Sequence, residues 1–202
     1  RPRGGVAVLD YDSDGFPDLA IGDLAGRPNR LYRNVPDPAR PGGRTFVDVS
    51  AGSGLGDPEG TTAFSFGIVS ADYDNDGDGD LFMTGGAAAD RYGLLYRNDG
   101  GVFTNISQAS GLRPSETVYE SASWVDFDMD GDVDLALASQ GFESDGANNL
   151  RLFRNLGDWT FEPAQELLPD LPPIGLTYSQ MWTDADNDGY PDWFVPATTG
   201  PL

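Results

Sequence analysis

An all-β chain assembled from repeated units of four antiparallel strands is the architecture this sequence predicts, and three observations predict it. An acidic nine-residue pattern, Asp-x-Asp-x-Asp-Gly-x-x-Asp, occurs four times, starting at Asp10, Asp72, Asp126 and Asp184. The starts are 62, 54 and 58 residues apart, a period that marks a propeller or similar array. Between the loops, short apolar runs of strand type alternate with turn-forming residues, and 27 Gly and 15 Pro supply many turns. The 202 residues suffice for one substantial domain.

Each unit is laid out in the same order. A first strand precedes the acidic loop, at 5–9, 66–71, 122–125 and 179–183. A second follows it, at 19–21, 81–84, 135–137 and 193–195. The third carries a repeated tetrapeptide: Leu31-Tyr32-Arg33-Asn34, Leu95-Tyr96-Arg97-Asn98 and Leu152-Phe153-Arg154-Asn155. The fourth carries a Phe, at 45–50, 102–107 and 159–162, and Asn98-Asp99-Gly100-Gly101 is a hairpin signal between third and fourth. Two units continue alike, as Ala51-Gly52-Ser53-Gly54-Leu55 and Gln108-Ala109-Ser110-Gly111-Leu112. Four antiparallel strands per unit make one propeller blade. The chain therefore divides into repeats at about 4–62, 63–117, 118–175 and a partial 176–202, within one propeller region of 1–202. The variable parts are a Pro/Gly-rich insertion at 35–44, connections at 56–62 and 112–117, and the segment 162–175. Pro163, Pro169, Pro172 and Pro173 keep that last segment from being a central strand.

The fourth unit stops after its second strand, because Pro196, Gly200 and Pro201 do not read as a third. That gives an incomplete propeller of about three and a half blades, short of the roughly 16 strands of a four-bladed ring. Such a piece exposes apolar blade faces and an unpaired edge. Further blades of the same polypeptide, or another chain, are expected to cover them.

The acidic loops have ligand spacing for a hard cation. Carboxylates stand at positions 1, 3, 5 and 9, with Gly at position 6 for the sharp bend. Ca²⁺ takes six to eight oxygens from carboxylates and carbonyls in a forgiving geometry. The candidate ligands are Asp10, Asp12, Asp14 and Asp18; Asp72, Asp74, Asp76 and Asp80; Asp126, Asp128, Asp130 and Asp134; and Asp184, Asp186, Asp188 and Asp192. An EF-hand would need Glu at position 12 followed by a helix. Position 12 is Ile21, Met83, Leu137 and Val195, in strand-type runs. Each loop therefore joins two strands, and position 9 supplies the carboxylate that an EF-hand takes from position 12. Four Ca²⁺ ions are expected, one per loop.

Charge agrees. The chain has 33 acidic and 12 basic residues, for a net charge of −21. Eighteen of the acids lie in the four loops, counting Asp78 and Asp132, where a cation would neutralise them. The remaining negative surface argues against nucleic acid as a partner. Cys and His are both absent, which removes disulfides, thiolate zinc sites, Cys nucleophiles and the usual general base. No stretch reaches the ~18 apolar residues of a membrane span. Arg1-Pro2-Arg3 does not open a signal peptide, so the chain is expected to be a mature form or an excerpt.

The loop, the Leu-Tyr-Arg-Asn strand and the Phe-x-Asp/Asn-Val/Ile-Ser run together resemble the FG-GAP/VCBS repeats. These build integrin α-subunit propellers and many secreted microbial propellers, and the likeness is nearest to bacterial VCBS proteins and the cartilage acidic proteins. The resemblance implies Ca²⁺ in the hairpin between a blade's first two strands. It adds the backbone carbonyls of Phe16, Asp78, Asp132 and Tyr190 to the ligands. Phe66-Gly67 matches the Phe-Gly pair of a first strand, which the other units lack.

Other residues read as structural. Arg33, Arg97 and Arg154 recur with the repeat and are expected to pair with nearby carboxylates. Trp124, Trp182, Trp193, Phe66 and Tyr96 are expected in the core between blades, whereas Trp159 follows a turn and is the better surface candidate for a sugar. Glu116, Glu120 and Glu143 have no identifiable acid–base partner and read as loop charge. Two functions remain. One is a non-catalytic module for adhesion, ligand binding or surface assembly, with a protein or glycan ligand, at an extracellular, cell-surface or periplasmic location. The other is the propeller part of a secreted carbohydrate-active enzyme such as a polysaccharide lyase.

Overall fold

The computed structural model describes residues 4–22, 28–55, 64–86, 93–112, 119–139, 150–168 and 177–196, without the side chains of Phe64 and Ser65. Among the described residues, fourteen strands form three four-stranded antiparallel sheets and one two-stranded sheet. The first blade is β1 (Val6–Leu9), β2 (Asp18–Ile21), β3 (Arg30–Pro36) and β4 (Arg44–Asp48), paired in chain order. The second is β5 (Phe64–Ala71), β6 (Asp80–Gly86), β7 (Leu94–Asn98) and β8 (Phe103–Asn105). The third is β9 (Tyr119–Val125), β10 (Asp134–Ser139), β11 (Leu150–Asn155) and β12 (Phe161–Pro163). The fourth is β13 (Met181–Thr183) with β14 (Asp192–Phe194). The all-β, incomplete-propeller expectation holds.

The acidic loop sets each first hairpin, because position 9 is the first residue of the second strand and pairs with the last of the first strand: Leu9 with Asp18, Ala71 with Asp80, Val125 with Asp134, Thr183 with Asp192. The innermost strands approach closely. A Cβ on Gly5 would lie 2.7 Å from the Gly67 carbonyl carbon, and one on Gly67 would lie 3.3 Å from the Glu120 carbonyl oxygen. That is the physical role of Gly67 in its Phe-Gly pair.

The cores lie between sheets. Ala7, Leu9, Tyr11 and Leu31 pack against Ile68, Leu81, Tyr96 and Phe103 of the second blade. Tyr73, Phe82 and Leu95 pack against Leu135, Phe153 and Phe161 of the third. Tyr73 stacks on Trp124 with ring centroids 5.7 Å apart, and Trp182 on Trp193 at 4.9 Å. The expected inter-blade places of Trp124, Trp182, Trp193 and Tyr96 are thus occupied, while Phe66 is half-buried. β10 is buried at every residue because blades lie on both its faces, whereas β2 alternates because only one face is covered. The uncovered faces carry Val6 and Val8 at one end, 57% and 60% exposed, and Met181 and Phe194 at the other, 58% and 46%.

Segment latches also cross between blades. The Ser53 carbonyl accepts from Phe103 N–H at 2.8 Å, and that of Ser110 from Phe161 N–H at 2.7 Å. Gly54, at φ +82°, is required there, since a Cβ would sit 1.8 Å from the Phe103 oxygen. Leu55 and Leu112 beside these latches are buried.

Three details depart from the sequence reading. The fourth strand of the third blade starts at Phe161, because Trp159 occupies the turn at φ +61°. Asp158 holds that turn by accepting from the Thr160 N–H and hydroxyl. A short 3-10 turn at Gln165–Leu167 follows β12, which ends two residues after its Phe as the fourth strands of the first two blades do. Glu120 lies in a strand rather than a connection. Glu116, Glu143 and the connections at 56–62 and 113–117 lie outside the described residues, as do Pro169, Pro172, Pro173, Gly200 and Pro201. No described helix is long and apolar enough to cross a membrane.

Candidate metal centres

All four loops fold to one local geometry. Position 4 is left-handed in each copy, with φ of 54° at Ser13, 59° at Asn75, 63° at Met129 and 60° at Asn187. Gly15, Gly77, Gly131 and Gly189 at position 6 have φ of 85–100°. The position 1 carboxylate closes the turn by accepting from the N–H groups of positions 5 and 6. In the second loop those distances are 3.1 Å from Asp76 N and 3.0 Å from Gly77 N, both to Asp72. Asp10, Asp126 and Asp184 repeat the arrangement. The position 5 carboxylate accepts from the position 7 N–H, as Asp76 does from Asp78 at 2.9 Å.

Position 9 is the hub. Asp18, Asp80 and Asp134 are wholly buried. One oxygen of Asp80 accepts from Tyr73 N–H at 3.1 Å, and the other from Asn98 N–H at 2.7 Å. Asp18 holds Tyr11 and Asn34 in the same way, and Asp134 holds Phe127 and Asn155. A single carboxylate thus ties the loop to the Asn that ends the third-strand tetrapeptide. Burial pushes the Asp80 carboxyl up to about 7 and that of Asp134 up to about 6, against the lowering effect of the backbone N–H groups. Burial likewise raises Asp18 and Asp74, the latter helped by the charges of Asp76 and Asp72.

The predicted ligands converge in part. Positions 1, 3 and 9 bring one oxygen each to within 4.8 Å of one another in all four loops: Asp10, Asp12 and Asp18; Asp72, Asp74 and Asp80; Asp126, Asp128 and Asp134; Asp184, Asp186 and Asp192. Asp14, Asp76, Asp130 and Asp188 stand outside these triads, each with one oxygen turned to the position 7 or neighbouring N–H. The Asp78 and Asp132 carboxylates face the preceding blade instead: Ser13 Oγ donates to Asp78 at 3.1 Å and Asn75 Nδ2 to Asp132 at 2.6 Å. The side chains of Phe16 and Tyr190 are exposed, and Arg44 lies over the Phe16 ring at 3.3 Å.

Two observations test whether the triads fit a metal ion. The Oδ1 atoms of Asp12 and Asp74 are buried and have no hydrogen-bond partner among the described residues. An oxygen anion in that state is costly unless a cation meets it. Where a protein cation is within reach, it is drawn in. Arg33 Nε lies 2.6 Å from Asp12 Oδ2, and Arg154 Nε lies 2.8 Å from Asp128 Oδ2. Arg97 pairs with Asp99 at 3.0 Å instead and acts on Asp74 only through its nearby charge. The structural reading of these arginines therefore stands. The donor set is all oxygen and largely anionic, which suits a hard dication such as Ca²⁺.

The Asn of each third-strand tetrapeptide does more than the sequence reading assigned to it. Asn98 Nδ2 donates to the Tyr11 carbonyl of the first blade at 2.8 Å, and Asn155 Nδ2 to the Tyr73 carbonyl of the second at 2.7 Å. An Asn repeated at the same place in each third strand is the available signal.

A family model described as FG-GAP-like repeat matches residues 10–83, 72–137 and 126–195. The chain belongs to the FG-GAP-like repeat family. Each matched window runs from one acidic loop to the strand behind the next, so this family is defined on the element that organises the present fold. Among curated proteins, human cartilage acidic protein 1 is 30% identical over 192 residues, covering 93% of this chain and 27% of that protein. The mouse protein of the same name is 31% identical over 192 residues, covering 93% and 28%. The chain thus spans roughly a quarter of the length of these relatives.

Proposed function

We propose that each loop of this FG-GAP-like segment binds one Ca²⁺ and that the ions hold the blades together. On this reading it is a non-catalytic extracellular, cell-surface or periplasmic module for adhesion, ligand binding or surface assembly. The observation that carries the metal reading is that the Oδ1 atoms of Asp12 and Asp74, both members of the triads, are buried and have no hydrogen-bond partner among the described residues. The membership of the chain in the FG-GAP-like family and its strongly acidic loops support it. The relatives' name, cartilage acidic protein 1, fits an extracellular setting. Loops without the cage of a buffer-type EF-hand suit sustained Ca²⁺, where extracellular modules bind at ~10⁻⁴–10⁻³ M.

The exposed apolar faces at Val6 and Val8, and at Met181 and Phe194, would seat further blades of the same polypeptide or of another chain. The ligand itself would be a protein or a glycan. Calcium titration by calorimetry tests the metal reading: four sites are expected, and a melting curve indifferent to chelator would overturn it. An activity screen of the calcium-loaded protein on polysaccharides tests the non-catalytic part, and turnover would favour the lyase reading.

A further inference from the structure

We infer that the first three acidic loops form a coupled series, wired through position 4 of one loop and position 7 of the next, and that the wiring stops before the fourth. The inference rests on the calcium reading above and concerns how neighbouring sites communicate. Ser13 Oγ donates to Asp78 Oδ1 at 3.1 Å, and Asn75 Nδ2 donates to Asp132 Oδ1 at 2.6 Å. Both links run from a loop to the loop of the following blade, between equivalent positions.

Their placement makes them transmitters. Position 4 lies between the candidate ligands at 3 and 5, so a cation that fixes those carboxylates fixes it too. Position 7 lies between the ligands at 5 and 9, and its N–H is bound to the position 5 carboxylate, at 2.9 Å for Asp78 on Asp76 and 2.9 Å for Asp132 on Asp130. The second oxygen of Asp78 accepts from Gly100 N–H at 2.7 Å, so this side chain is held from two sides. An ordered loop in one blade therefore presents a donor that orders the backbone span of the next. A site whose partner is already ordered costs less to close, which is positive coupling. From the third blade to the fourth the pair would be Met129 and Tyr190. A thioether cannot donate and a phenol offers no carboxylate, and both side chains are exposed.

Each loop has its own reporter, the position 6 glycine, and the test uses its amide signal. In ¹⁵N-labelled wild-type chain titrated with Ca²⁺, Gly15, Gly77 and Gly131 are expected to shift over one narrow concentration range and Gly189 over a separate one. Asn75→Gly removes the donor without strain, since position 4 is left-handed. It should separate Gly131 from Gly77 and raise the Gly131 midpoint about 5-fold, the lower end of ordinary coupling. Asn75→Ser, the donor already used in the first loop, should restore joint titration. Asn187→Gly, which has no described partner in another loop, should leave the Gly131 midpoint unchanged. An unchanged Gly131 midpoint in Asn75→Gly overturns the coupling while leaving calcium binding intact. The same shift in Asn187→Gly assigns the effect to general destabilisation and also overturns it. Wild-type glycine signals indifferent to Ca²⁺ would instead overturn the calcium reading, and the coupling with it.

Discussion

The second and fourth acidic loops share a backbone and differ in almost everything around it. Both have a left-handed fourth residue, a position 1 carboxylate capping two N–H groups and a converging triad. Asp80 is wholly buried and is bonded to Tyr73 and Asn98; Asp192 is exposed and, among the described residues, holds only Ala185 N–H, at 3.0 Å. The nine residues therefore fold their own loop. The blade's own third strand supplies the Asn, and the neighbouring blades supply burial and with it the raised carboxyl. Local sequence determines where a cation would sit, and the blade stack determines how much its presence matters to the fold.

The largest expected effect follows from that division. Without metal, enclosed carboxylates face one another, and two charges about 4 Å apart repel by ~4 kcal/mol at an effective dielectric near 20. At Ca²⁺ near 100 times Kd, linkage gives ~2.7 kcal/mol per site. Chelation should lower the melting temperature steeply, and Ca²⁺ should restore it better than Mg²⁺, which resists an all-protein cage. Disabling the fourth loop with Asp184→Ala should remove far less of this response than disabling the second with Asp72→Ala. Equal losses in calorimetric scans would erase the contrast between enclosed and open loops.

Acidity sharpens the same contrast in the metal-free chain. Burial raises Asp80 to about 7 and Asp134 to about 6, whereas an unfolded Asp titrates near ~3.9. Between those values the folded chain holds protons that the unfolded chain has released. Stability is then greatest below about pH 4 and falls as the pH rises towards 7. Asp48, held low by the Ser50 hydroxyl and N–H, acts in the opposite sense at an exposed site. Saturating Ca²⁺ should remove most of the fall, because the cation favours the ionised carboxylates. Melting temperatures of metal-free chain from pH 4 to 7.5 decide this, and a rise with pH would contradict it.

Much of this was legible in the sequence because it is local. The loop register, the strand order and the identity of position 9 follow from a pattern repeated four times, and a repeat is its own control. What was not legible depends on which residues meet across blades. Asn98 and Asn155 read as strand ends, and only the stacked sheets place their amides under the Tyr11 and Tyr73 carbonyls. Trp159 read as a strand residue because aromatics favour strands, yet a turn one residue longer than its counterpart at Gly100-Gly101 places it at φ +61°. The 3-10 turn at Gln165–Leu167 likewise follows from where the ladder stops, not from helical periodicity.

Next in size are single changes at position 9. Asp80→Ala leaves the buried Tyr73 and Asn98 N–H groups without acceptors, about 1–3 kcal/mol for each. A loss on the order of 3 kcal/mol in urea unfolding with Ca²⁺ is expected, with loss of one bound ion. Asp192→Ala frees one exposed N–H that water can take, so it should cost less than ~1 kcal/mol while also losing its ion. Asp74→Asn, which keeps an oxygen ligand, should weaken calcium binding at its loop less than Asp80→Ala does. Equal destabilisation by the two alanine changes would show that burial of position 9 is not what separates the loops.

The smallest expected effect isolates the tie between blades from the loops themselves. Asn98 is wholly buried, and its amide donates both to Tyr11 O across the blade boundary and to Gly79 O at 3.1 Å within its own blade, while its oxygen accepts from Gly101 N–H at 2.9 Å. Asn34, the equivalent residue of the first blade, donates to Pro17 O at 2.9 Å and accepts from Arg44 Nε at 2.8 Å, both within its own blade. Asn98→Ala should therefore cost about 2 kcal/mol, since it strands the buried Tyr11 carbonyl across the boundary and the half-buried Gly79 carbonyl within its own blade. Asn34→Ala should cost about 1 kcal/mol, because the Arg44 guanidinium keeps its bond to the Asn34 carbonyl at 2.7 Å and can turn to water. Both variants keep every candidate ligand, so calcium stoichiometry should stay at four in each. If Asn34→Ala proved as costly as Asn98→Ala, the tetrapeptide Asn would act within its own sheet, and the cohesion of the blades would rest on the apolar cores and the Ser53 and Ser110 latches alone.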